Sequence, residues 1–67
     1  MEISARNQLK GTVSSVTLGA VMAEVTVDVG GQEIVAAITR TSAERLSLEK
    51  GADVTVFIKA TEVMLGR

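Results

Sequence analysis

Val21-Met22-Ala23-Glu24-Val25-Thr26-Val27-Asp28-Val29-Gly30-Gly31-Gln32-Glu33-Ile34-Val35-Ala36-Ala37-Ile38-Thr39 is the stretch on which the fold turns. Val21, Ala23, Val25, Val27 and Val29 share one parity, while Met22, Glu24, Thr26 and Asp28 share the other. Alternation with period two in β-branched residues predicts a half-buried strand. Gly30-Gly31 supplies the positive φ angles of a tight hairpin turn. A second strand then runs from about Gln32 to Thr39. Its residues Ile34, Ala36 and Ile38 fall on one face, but Val35 and Ala37 make the other face apolar too. A strand apolar on both sides is covered on both sides, and in so small a chain the second cover is expected to be another subunit.

Upstream of the hairpin, Gln8 to Leu18 reads as a long first strand. Leu9, Gly11 and Val13 share one parity and Val16 and Leu18 the other, so the phase switches at Ser14-Ser15, as a bulge or sharp bend would make it. Downstream, Thr41-Ser42-Ala43-Glu44 fits a capping box with Thr41 as N-cap, which predicts one short helical turn through about Leu46. Glu49-Lys50-Gly51 is a turn. Val54, Val56 and Ile58 alternate with Thr55, Phe57 and Lys59 as a fourth strand, and Val63-Met64-Leu65 is expected to form a last short strand. The order suits an all-β, OB-like five-stranded barrel with one short helical turn, partly open and completed by a partner. An α/β fold needs crossover helices of ten or more residues, for which there is no room.

The 67 residues, 1–67, make one domain. A chain of this size buries only about 60% of its unfolded surface, so its own core is marginal. With no cysteine and no histidine, disulfides and zinc, copper or haem sites built on those residues are excluded. Oligomerisation is the remaining common way to stabilise so small a chain, and 46% hydrophobic residues are more than it can hide alone. The net charge of −1 and the single aromatic, Phe57, argue against a nucleic-acid partner. No apolar run is long enough to span a membrane, and the N-terminus is no signal peptide. The expected location is cytoplasmic.

Catalysis is not expected. The chain has no histidine or cysteine as base or nucleophile, no carboxylate pair that stands out and no glycine-rich phosphate loop. What remains is a set of hydroxyl and cationic side chains near strand ends: Ser4 and Arg6 before the first strand, Thr39 and Ser42 around the helical turn, Lys59 after the fourth strand. Singly, each has an ordinary reading. Thr41 and Ser42 are helix caps, Lys59 a solvated lysine, Arg6 a terminal charge, Asn7 a turn residue. Together they suit a tetrahedral oxyanion, which needs hydroxyls, backbone N–H groups and one or two cations around it. A site made only of donors also favours a fully ionised anion such as molybdate or sulfate over a partly protonated one such as phosphate.

Ser4-Ala5-Arg6-Asn7-Gln8-Leu9-Lys10-Gly11 closely resembles the start of the molbindins, the small molybdate-binding Mop proteins with a TOBE-like domain. Three further stretches match in register: Ala37-Ile38-Thr39 with Ser42, Leu46-Ser47-Leu48-Glu49-Lys50-Gly51, and Ile58-Lys59-Ala60-Thr61-Glu62-Val63-Met64. The resemblance implies an OB-like fold and storage or homeostasis of molybdenum through molybdate or tungstate binding, with no cofactor and no bare metal cation. It implies strand-exchanged dimers assembled into a homohexamer, a trimer of dimers, with sites at subunit interfaces. Carried over by motif, the ligand-binding residues are Ser4, Arg6, Thr39, Ser42, Lys59 and Ala60, the last through its backbone. Lys59 is the expected principal charge partner, and Thr41 competes with Ser42 as ligand or cap. Two other readings compete. One is an anion-sensing module of a transcription regulator or importer ATPase, which the start of the module at Met1 disfavours. The other is an OB-type nucleic-acid binder, which charge and aromatic content disfavour.

Overall fold

The structure, a computed structural model, describes residues 2–67. Its four strands are β1 (Asn7–Leu18), β2 (Met22–Val29), β3 (Gln32–Thr39) and β4 (Asp53–Ile58). A six-residue helix, α1 (Arg40–Arg45), follows β3, and one 3-10 turn (Ala60–Glu62) follows β4. All pairings are antiparallel, in the order β3-β2-β1-β4.

The β2–β3 hairpin closes as its sequence demands. Val29 faces Gln32, and Gly30 and Gly31 between them have φ of 59° and 86°. Two consecutive left-handed residues are what a two-residue turn matching the strand twist needs. The Gly31 N–H donates to Asp28 Oδ1 at 3.1 Å, fixing the turn from the strand side.

β1 changes partner halfway along. Asn7 to Thr12 pair with β4, and Thr12 to Leu18 pair with β2. The β2 register shifts between Val13 and Ser15, so Ser14 is the extra residue of a bulge. Its hydroxyl donates to the Thr26 carbonyl at 3.1 Å. The bulge flips the inward parity from Leu9, Gly11 and Val13 to Val16, which is the phase switch visible in the sequence.

The core gathers on this bend. Val13, Val25 and Val27 are buried, with Val16, Val29, Ile38, Leu48, Ala52, Val54 and Val56 packed around them. Gly11 leaves no space for a side chain, since a Cβ there would lie 2.6 Å from the Asp28 carbonyl oxygen and 2.7 Å from Val27 Cγ1. The glycine lets the β1 backbone press against β2.

α1 ends in a Schellman arrangement. Leu48 N–H bonds the Ala43 carbonyl and Ser47 N–H the Glu44 carbonyl, both at 3.0 Å, with Ser47 at φ 52° in the place glycine usually takes. The motif turns Leu48 into the core, and the chain then joins β1 through Val13 N–H to Ala52 O at 2.9 Å and Gly51 N–H to Val13 O at 2.8 Å.

Two expectations are corrected. First, the helix N-cap is Thr39, not Thr41. Thr39 keeps an extended backbone (ψ 148°) and its Oγ1 accepts from Ser42 N–H at 3.1 Å, so the helix starts two residues earlier than the Thr41-to-Glu44 spacing implies. Second, the described residues hold four strands rather than five. Val63-Met64-Leu65 pairs with nothing, and Met64 and Leu65 are 92% and 96% exposed. After the 3-10 turn the segment meets no sheet edge of its own chain, and an extended segment without a ladder partner cannot form a strand. The sheet is accordingly open, with β3 and β4 at its edges.

Candidate functional site

Two groups of polar residues stand at opposite ends of β1. At its start, Asn7 pairs with Ile58, the last residue of β4. The Asn7 side chain reinforces that pairing, Nδ2 donating to the Ile58 carbonyl at 3.0 Å. One step beyond the pair, Arg6 and Lys59 leave the ladder side by side in sequence register, followed outward by Ser4 on one segment and Ala60 on the other. Gln8 Nε2 donates to the Ala5 carbonyl at 2.9 Å, which turns the chain between Ser4 and Arg6 back toward the strand. Ser4, Arg6, Lys59 and Ala60 are all exposed. Lys59 is extended (φ −64°, ψ 133°) and precedes the 3-10 turn.

Thr39 and Ser42 form the second group. Thr39 ends β3 opposite Met22, whose neighbour Ala23 faces Leu18 at the far end of β1. Thr39 Oγ1 donates to Ser42 Oγ at 2.8 Å and accepts the Ser42 N–H at 3.1 Å. The two hydroxyls therefore act as a pair, with Ser42 Oγ free to pass its own proton to a further acceptor. Thr41 is exposed and makes no side-chain hydrogen bond among the described residues, so the hydroxyl pair is Thr39 with Ser42.

The six residues singled out in the sequence are thus brought together as two sets, four at one end of β1 and two at the other. The first set lies where β1 pairs with β4 and the second at the end where β1 pairs with β2 and β2 with β3, on either side of the bulge at Ser14. Both sets offer donors and no carboxylate. Two open grooves lie elsewhere. One, of about 500 Å³, is lined by Lys10, Gly11, Thr12, Asp53, Val54 and Thr55. The other, of about 490 Å³, is lined by Leu46, Leu48, Asp53, Val54, Thr55 and Phe57. Neither includes any of the six residues. Among the described residues, no group of three or more acidic, histidine or cysteine side chains is arranged to hold a metal ion. No helix among them is long and apolar enough to cross a membrane.

Sequence reading passed over two residues. Asn7, taken alone, is a turn residue, yet here its amide joins the ends of β1 and β4 that Arg6 and Lys59 adjoin. Arg40 lies inside the Thr39–Ser42 spacing, and its guanidinium reaches the Gly19 carbonyl and the Glu44 carboxylate. Side-chain contacts across 51 and 21 residues leave no local signal in a sequence.

Comparison with known proteins gives a consistent picture. The TOBE domain family model matches residues 3–65. Molybdenum-pterin-binding protein 1 of Clostridium pasteurianum is 46% identical over 66 residues, covering 97% of each chain. A molybdate-binding protein from Sporomusa ovata superposes with a TM-score of 0.94 at 45% identity, over the full length of both chains. The cytoplasmic molybdate-binding protein ModG, in a form with molybdate bound, superposes at a TM-score of 0.85 and 48% identity, over 90% of this chain and 43% of ModG. The all-β fold, the family model and the full-length matches to the Clostridium and Sporomusa proteins agree: the chain belongs to the TOBE domain family, among the small molybdenum-pterin-binding (Mop) proteins.

Proposed function

We propose that this protein binds molybdate or tungstate in sites shared between copies of the chain, and so stores or buffers molybdenum in the cytoplasm without catalysing a reaction. One observation carries the reading: the donor set is split between the two ends of β1, so one chain presents two half-sites and completes neither alone. Ser4, Arg6, Lys59 and the Ala60 backbone of one copy would close over Thr39 and Ser42 of another. Lys59 and Arg6 supply charge, and the Thr39–Ser42 hydroxyl pair and backbone N–H groups supply directed hydrogen bonds. A fully ionised tetrahedral anion accepts at every corner and suits a cage of donors. Phosphate carries a proton that favours a strong acceptor, and the set holds no carboxylate to receive it.

Assembly is part of the proposal. Strand-exchanged dimers, three to a hexamer, would cover surface that one chain leaves open. Met64 and Leu65 are almost fully exposed, Leu46 and Val35 are 66% and 60% exposed, and the groove under Leu46, Leu48 and Phe57 is apolar. Exposed apolar surface with unpaired sheet edges favours association. Relatives that bind molybdate at this identity support the ligand class.

Titration calorimetry with molybdate, tungstate and phosphate, run beside light scattering for mass, tests both parts. The proposal predicts heat from the first two anions, none from phosphate at the same concentration, and a mass of six chains. Equal binding of all three anions, or a monomer that binds molybdate at full affinity, would overturn it.

A further inference from the structure

We infer that Arg40 is a positioning residue for the Thr39–Ser42 half-site, an inference that rests on the oxyanion-binding reading above. The half-site sits where an edge strand passes into a helix of six residues. Helices much shorter than about twelve residues do not hold themselves in water. Contacts from α1 to the rest of the chain must therefore fix the angle at which the two hydroxyls are presented.

Arg40 does this from three atoms. Its backbone N–H donates to the Val21 carbonyl at 2.8 Å, Nη1 donates to the Gly19 carbonyl at 3.3 Å, and Nε faces Glu44 Oε2 at 3.5 Å. Gly19 is itself anchored, its N–H donating to the Met22 carbonyl at 2.7 Å, and Met22 is the ladder partner of Thr39. The guanidinium thus ties the β1–β2 turn to Glu44 in the second turn of α1, spanning the segment that holds Thr39 and Ser42. The ion pair with Glu44 is exposed and therefore weak, and the role inferred for Arg40 rests on the shape of its fork. A planar fork serves the carbonyl and the carboxylate at once, which the single ammonium of lysine on its flexible stem does not.

The test compares wild type with Arg40→Lys and Arg40→Met in two readouts. The first is molybdate titration at low and moderate salt. Both variants are expected to lose about three- to tenfold in affinity, the size of one lost hydrogen bond, with a salt dependence unchanged from wild type. The second is amide hydrogen exchange without ligand. Ser42, whose N–H is held by Thr39 Oγ1, is expected to exchange faster in both variants, while Val25 in the core keeps its protection. Wild-type affinity in both variants overturns the inference, as does rescue by lysine with a shallower salt dependence in Arg40→Met, which would mark Arg40 as a charge acting at a distance. Equal acceleration at Ser42 and Val25 also overturns it, because the role would then be fold-wide. Failure of wild type itself to bind molybdate would fall on the oxyanion reading, and the exchange data would still decide whether Arg40 holds the hydroxyl pair.

Discussion

Asn7 and Ile58 are locked twice, once as the terminal pair of the β1–β4 ladder and once by Asn7 Nδ2 donating to the Ile58 carbonyl at 3.0 Å. The residues next outward are Arg6 and Lys59, so the amide holds together the strand ends from which the two cations proposed to meet the anion extend. Asn7→Ala removes this exposed bond and is expected to cost about 0.5–1 kcal/mol of stability. Its larger effect is expected on molybdate affinity, a several-fold loss measured by calorimetry. Unchanged affinity would show that the backbone ladder alone sets the Arg6–Lys59 spacing.

Lys59→Ala removes a charge-assisted contact to the anion. Such bonds contribute about 1.5–3 kcal/mol, so affinity should fall about ten- to a hundredfold while the assembly keeps its mass. Lys59 is exposed in the single chain, so little stability should change. Wild-type affinity in this variant would make Lys59 a solvated surface lysine.

Thr39 has two duties, and two substitutions separate them from the loss of a methyl group. Thr39→Ala removes the helix cap and one hydroxyl of the pair, with an expected cost of ~1 kcal/mol in stability together with a drop in anion affinity. Thr39→Ser keeps the oxygen that accepts from Ser42 N–H and should stay near wild type in both. Thermal melts and titrations on the two proteins check this. Equal behaviour of the alanine and serine variants would contradict the cap assignment.

Gly11→Ala tests the packing at the bend of β1. The added Cβ would meet the Asp28 carbonyl oxygen at 2.6 Å and two valine methyls at under 3 Å, and backbone cannot step aside as a flexible side chain does. Overpacking of this kind costs typically ~1–3 kcal/mol, a large share of the stability of a domain this small. Chemical denaturation should show a lower midpoint. A midpoint equal to wild type would mean that β1 and β2 slide apart freely there.

Much of this architecture is legible in the residues because it is written locally. The alternation from Ala23 to Val29, the Gly30-Gly31 turn and the parity switch at Ser14 are each set by neighbours along the chain, and each appears in the structure at that place, whereas Val21 lies before β2 and is 72% exposed. The helix cap is less legible. Thr39, Thr41 and Ser42 all carry hydroxyls, and the choice fell to Thr39 because it is the last residue with strand geometry, held in register with Met22. The Val63–Leu65 strand is not formed because a strand needs an edge to pair with, and the pattern of a segment does not say whether its own chain provides one. The candidate site shows the same division. The motifs name Ser4, Arg6, Thr39, Ser42, Lys59 and Ala60, but their placement in two groups at the ends of β1 follows only from the register of the strands. The contributions of Asn7 and Arg40 depend on contacts between distant parts of the chain.

Complementation between two defective proteins tests the shared site most directly. Lys59→Ala damages one half-site and a Thr39→Ala, Ser42→Ala double variant damages the other, so each alone should bind molybdate weakly. Unfolded together and refolded as a mixture, they form assemblies in which intact halves from different chains meet. If sites lie between copies, roughly a quarter of them should recover wild-type affinity, the share expected when halves pair at random across a symmetric interface. If each chain carries a whole site, the mixture should bind no better than the average of its two components, and that result would contradict the account.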